Sequence, residues 1–263
     1  MRIRSNVRLA PCITAFAVTV ACSGGDETGA SNASRTGGNG GGAGGSEDMT
    51  DSGTPLVCER DFYATLPQDL AAFSKCTTIT GTLTFVDAAK AAELTDLDLL
   101  LLTTVRGDLI VRSTELTRLR FPALTTLEGT LRATGNPELA TLDLPVLTSV
   151  GGELELLGSD SFTRLLFPKL GAVGKSLHIA HHQDMTSLEL PALTTVGGDV
   201  TINDNDALTQ LSIPSLATIS GEQFNVKGNA TLPSCQARDL RAQLTDYNGT
   251  VSISDNGASV TCQ

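Results

Sequence analysis

Five prolines recur at one unbroken interval: Pro122, Pro145, Pro168, Pro191 and Pro214, each 23 residues after the last. Each sits in the same frame, from Phe121-Pro-Ala-Leu124 to Ile213-Pro-Ser-Leu216. A fixed period of this length specifies stacked coils, in which no coil buries its apolar edges alone and each covers the next. A stack of that kind offers long flat faces rather than one deep pocket, which points away from catalysis.

The rest of the repeat keeps the same period. After each Pro-x-Leu comes Leu127, Val150, Val173, Val196 or Ile219, and two residues later Gly129, Gly152, Gly198 or Gly221, with Lys175 as the exception. Alternating segments follow, such as Leu131-x-Ala133, Leu154-x-Leu156, Leu177-x-Ile179 and Val200-x-Ile202, and after one inserted residue Phe224-x-Val226. Gly81–Phe85 and Gly107–Val111 read as earlier coils and Gly249–Ile253 as a last one. Period two indicates short strands buried on one face. A second strand recurs at Leu119-x-Phe121, Leu142-x-Leu144 and their equivalents, and a third apolar corner at Leu124/Leu127 and its equivalents. Three apolar segments per turn predict an all-β solenoid, a right-handed parallel β-helix of about 23-residue coils, with the prolines at strand ends.

Five residues after the first inward position of a coil stands Asn136, Asn205, Asn229 or Asn256; Thr114, Ser159 and His182 fill that slot elsewhere. Stacked amides at a chain turn satisfy backbone groups, so these residues read as a structural ladder. The outward strand positions are Ile110, Arg132, Glu155, His178, Thr201, Asn225 and Ser252 on one row, and Arg120, Asp143, Leu166, Glu189 and Ser212 on another. Arg132, Glu155, His178, Thr201 and Asn225 form the candidate binding face.

The consensus Leu-Pro-x-Leu-x-x-Val-Gly-Gly-x-Leu-x-Ile-x-x-Asn-x-x-Leu resembles the receptor L-domain, the leucine-rich-repeat relative that forms ligand-binding lobes of insulin- and EGF-receptor ectodomains. Its clearest copy is Leu193–Asn205, and Cys76–Phe85 resembles that family's first strand after an N-terminal cysteine. The likeness covers residues 57–263. It implies the solenoid fold and a binding role, but no particular ligand.

The N-terminus reads as an export signal: Arg2, Arg4 and Arg8 precede a short apolar run, Leu9 to Ala21, too short to span a bilayer. Ala21-Cys22 resembles a bacterial lipobox, making Cys22 the lipidated first residue of an envelope lipoprotein; Ser23, in place of aspartate, implies passage to an outer membrane. Thr19 stands where leucine is usual, and an ordinary signal peptide cleaved nearby is the alternative. Residues 22–56 read as a lipidated cysteine followed by a Gly/Ser-rich tether, including Gly40-Gly-Gly-Ala-Gly-Gly45. The expected organisation is therefore signal peptide 1–21, tether 22–56 and repeat domain 57–263, with caps at 57–76 and 233–263.

Beyond Cys12 and Cys22, four cysteines lie outside the repeats: Cys58, Cys76, Cys235 and Cys262, with three connectivities open. The resemblance implies the two local pairs, Cys58–Cys76 and Cys235–Cys262, each closing one end of the stack. Leu66–Phe73 and Gln236–Leu244 read as short capping helices. The absence of Cys-x-x-Cys spacing argues against zinc.

Charge restricts the partners. Losing Arg2, Arg4 and Arg8 with the signal leaves 15 basic against 29 acidic side chains, net −14. No basic stripe is present, so nucleic acid is not expected, and the lack of tryptophan weakens a carbohydrate-stacking surface. His178, His181 and His182 fall in one coil, which allows a metal-dependent protein as a minor reading. Asn203-Asp-Asn-Asp206 lacks the spacing of a calcium loop, and there is no Gly-x-Ser-x-Gly elbow. The sequence thus predicts a lipid-anchored surface binding or adhesion module without cofactor or catalysis, whose partner is an unidentified protein or surface polymer; a structural envelope protein without a ligand is the alternative.

Overall fold

The structure, a computed structural model, describes residues 55–65, 67–86 and 95–258. They form a right-handed parallel β-solenoid of about eight coils of about 23 residues. The coils build three faces. The long face is a sheet of nine parallel strands, from Phe62–Ala64 through Leu131–Thr134, Leu154–Leu157 and Leu177–Ala180 to Thr250–Ser254. A second sheet has eight two-residue strands, from Val57–Cys58 to Thr218–Ile219. The third face carries two separate three-stranded sheets, one of Asp96–Asp98, Arg118–Arg120 and Thr141–Asp143, the other of Arg164–Leu166, Ser187–Glu189 and Gln210–Ser212.

Register follows the repeat. Leu131 pairs with Leu154, Leu154 with Leu177 and Leu177 with Val200, while the first coils run long and short, with Leu83 on Leu109 and Leu109 on Leu131. The extra residue before Phe224 is absorbed without changing which side faces in, because Phe224 still pairs with Val200. Leu131, Leu154, Leu177 and Val200 are fully buried, as are Val105, Leu127, Leu119 and Leu188 from the other two faces. The core is therefore a set of stacked aliphatic files, and neighbouring strands lie about 4.8 Å apart.

The prolines sit two residues past the strand ends. Each follows a third-face strand and occupies the second position of a β-turn; Leu147 N–H donates to Leu144 O at 3.3 Å, and Leu193 N–H to Leu190 O at 3.2 Å. Proline presets φ for that position and needs no donor there. At the N-terminal end the expected helix is a 3₁₀ helix, Pro67–Ala72. Behind it Phe73 packs between Phe62 and Phe85, with ring centroids 5.3 and 6.2 Å away. Cys58 and Cys76 are disulfide-bonded, with Cα atoms 5.9 Å apart. At the other end α1, Ser234–Ala242, buries Ala237 and Leu240. Its Gln236 accepts Leu211 N–H at 2.8 Å and donates to Thr209 O at 2.9 Å, so a side-chain amide covers the edge of the last third-face strand.

Candidate functional site

The long face turns its outward row away from the core because alternate side chains in a strand point to opposite sides. Pairing aligns Ile110, Arg132, Glu155, His178, Thr201, Asn225 and Ser252 into one file, each half-buried between its neighbours. All five residues of the candidate binding face therefore lie on one surface line, one per coil. Arg132 Nε donates to Glu155 Oε2 at 2.8 Å, and its guanidinium lies 3.7 Å from Glu153. The bond to Glu155 raises the Arg132 pKa further above its ordinary value. Beside this pair is an open hollow of about 240 Å³ lined by Glu153, Glu155, Ser176, Leu177, His178, Asp199 and Thr201. A hollow lined by carboxylates, an imidazole and hydroxyls can accept hydrogen bonds from a polar or cationic group.

The second row lies on the third face and is split with it. Arg120 bonds Asp143 at 2.9 Å and lies 3.8 Å from Asp98. Arg164 grips Glu189 through two bonds of 3.1 and 2.9 Å, and Ser187 Oγ donates to the same carboxylate at 2.7 Å. The Arg164 bonds, helped by Ser187, lower the Glu189 pKa. Leu166 and Ser212 complete the row without charge.

Asn136, Asn205, Asn229 and Asn256 stand at the corner after four of the long strands and act there as rungs of a ladder. Asn136 Oδ1 accepts Thr114 N–H at 2.9 Å while its Nδ2 donates to Val111 O at 3.0 Å. Asn205 does the same for His182 N–H and Ile179 O, Asn229 for Asn205 N–H and Ile202 O, and Asn256 for Asn229 N–H and Val226 O. Each amide thus serves the coil before its own. His182 copies both bonds: Nδ1 lies 3.2 Å from Ser159 N and Nε2 3.1 Å from Leu156 O. Burial pushes its pKa down, against opposing hydrogen bonds to Ser159 and Leu156. Just before each ladder position the chain turns through a left-handed residue: Ser113, Gly135, Gly158, His181, Asp204, Gly228 and Asp255 all have φ between 50 and 68°. Glycine adopts that conformation freely, and aspartate tolerates it.

The three histidines are not brought together. His178 is on the outward row, His182 is buried in the ladder, and His181 projects from the corner with Nδ1 3.9 Å from Asp204. Among the described residues no three His, Cys, Asp or Glu side chains are grouped to hold a metal. Cys22 lies outside the described residues, and the lipid attachment site with it; of the second cysteine pair, Cys235 is described, in α1, and is disulfide-bonded, while Cys262 lies outside the described residues.

A second ladder escaped the reading of the sequence. At the residue preceding the first inward position, Asp61, Asp108 and Asp199 accept backbone N–H groups of the next coil: Thr82, Thr130 and Glu222, each at 2.7 Å. Thr82, Thr130 and Ser176 hydroxyls accept Asp108, Glu153 and Asp199 N–H in the same way. The signal is a small acceptor side chain recurring one residue before the strand, but its identity alternates among Asp, Thr and Ser and so hides the period. Two members, Ser176 and Asp199, line the hollow, where these backbone bonds fix them.

No protein-family model matches the chain, and no curated protein or solved structure matches it.

Proposed function

We propose that this chain is a non-catalytic, lipid-anchored binding module of the bacterial cell envelope, a receptor L-domain-like solenoid held to the outer membrane through Cys22. One observation carries the binding reading: the long sheet aligns chemically different side chains, Arg132, Glu155, His178, Thr201 and Asn225, on one line fixed by backbone pairing. Rigid strands hold such a row with little conformational freedom to lose on binding. Its composition changes at every coil, which suits recognition of one particular surface more than self-packing of identical rungs. The partner class is a protein or surface polymer. The export signal, lipobox and tether supply the anchor and the reach.

The test is capture from envelope extracts with the soluble repeat domain, run beside the variant Arg132→Ala/Glu155→Ala/His178→Ala and a third-face variant Arg120→Ala/Glu189→Ala. The reading expects a retained partner that is lost only with the first variant. Equal capture by all three, or none by the unaltered domain, removes the long face from consideration and leaves a structural envelope role.

A further inference from the structure

Three observations converge on one corner of the stack, residues 158–162. First, the third-face pairing that joins other coils is interrupted here, between Thr141–Asp143 and Arg164–Leu166. The interruption coincides with Phe162, the largest residue at its repeat position, where other coils have Leu139, Met185 and Leu208. Second, Ser159 occupies the ladder position but is too short to act as a rung; its Oγ is buried and has no hydrogen-bond partner. Toward the preceding coil, the corner keeps the bond from Ser161 N–H to Pro137 O at 3.2 Å. Third, the rung that serves Ser159 from the following coil is a fully buried histidine, His182, packed 5.4 Å from the Phe162 ring.

We propose that the corner at 158–162 is an acid-operated hinge in the stack, held closed by neutral His182 and released when His182 takes up a proton. In the neutral ring Nδ1 accepts Ser159 N–H and Nε2–H donates to Leu156 O. A second proton on Nδ1 turns that atom into a donor. It then donates to Ser159 O, 3.0 Å away, but Ser159 N–H loses its acceptor and the ring's positive charge is held in a fully buried position. The amide rungs formed by Asn136, Asn205 and Asn229 carry no titratable group and cannot respond in this way. Titratable groups on the corners packed around His182 are Asp160 before it, His181 and Asp184 beside it, and Asp204 and Asp206 after it. Asp160 favours the charged ring and His181 opposes it, while burial outweighs both. Because the closed state binds the proton less readily than the open one, closure is complete above the ordinary histidine pKa of about 6.5 and is lost as pH falls below it.

Amide hydrogen exchange on the full chain, corrected for intrinsic rates, tests this. Opening at 158–162 should increase by up to about tenfold per pH unit below about pH 6.5. The corner at 205–208, served by Asn229, should show no such dependence. His182→Asn should keep protection at neutral pH and abolish the acid response. A pH-independent wild-type corner, or an acid response that persists in His182→Asn, overturns the proposal. Should that variant not fold, the wild type still decides: by NMR the His182 ring and the Ser159 amide must titrate together, and separate titrations overturn it.

Discussion

At the scale of single residues, the ladder explains why so few side chains carry the corners. Each asparagine satisfies a buried N–H and adds a second donor to a carbonyl, so its loss leaves a polar group unpaired rather than only removing a contact. Asn205→Ala should cost about 1–3 kcal/mol, because His182 N–H is then stranded in the core. Asn256→Ala, at the half-exposed end of the file, should cost less, since water can replace its bonds. Urea denaturation of the two variants measures the difference; equal losses would show that burial does not set the rung's value. The same logic run in reverse gives Ser159→Asn. With room for an amide, it should complete the file and raise stability by about 1 kcal/mol. A fall in stability would mean that the corner is closed by packing and has no place for a rung.

Elements show where the sequence could be read and where it could not. Inward and outward rows were legible because period two leaves no ambiguity once Leu177 and Ile179 flank His178 in a repeat whose neighbours say the same. The period followed from Pro122 to Pro214, and the coils beyond them from Gly81–Phe85, Gly107–Val111 and Gly249–Ile253. The interruption of the third-face sheet was not legible, because Leu142 and Leu165 keep the repeat perfectly; it coincides with Phe162, but whether two coils pair is a tertiary property that the repeat letters do not carry. The alternating acceptors Asp108, Thr130 and Ser176 were missed because a ladder of equivalent function but mixed residue type has no consensus letter. For the candidate site, the line of Arg132, Glu155 and His178 was readable from alternation, whereas the hollow beside it was not, since Glu153 and Asp199 come from corners rather than strands. The Arg132–Glu155 pair is half-buried at the surface, where ion pairs contribute little stability, about 0–1 kcal/mol. Arg132→Ala should therefore leave the melting temperature nearly unchanged, and a large loss would mean that the pair is structural.

For the solenoid taken whole, stability is the sum of coils and the interfaces between them, and its weak points are the ends. The N-terminal end is closed by the aromatic cluster of Phe62, Phe73 and Phe85 together with the Cys58–Cys76 bond, which spans 18 residues. Cys58→Ser should lower stability by about 3 kcal/mol in the chain-entropy description, with the loss greatest in the first coils. Non-reducing peptide mapping should also find Cys235 joined to Cys262; a link from either to Cys58 or Cys76 would require the two ends of the stack to meet. Both the fold and the proposed recognition face depend on one assignment, the side of the long sheet that each residue takes. Paired thermal melts of Leu177→Asp and His178→Asp test it most directly. Leu177 is fully buried in a middle coil, so a carboxylate there should cost several kcal/mol, on the order of 3 or more, and unfold the domain, while the same change at the adjacent outward position should shift stability by less than about 0.5 kcal/mol. Equal losses at the two positions would contradict the register, since a slip of one residue exchanges core and surface along the whole sheet.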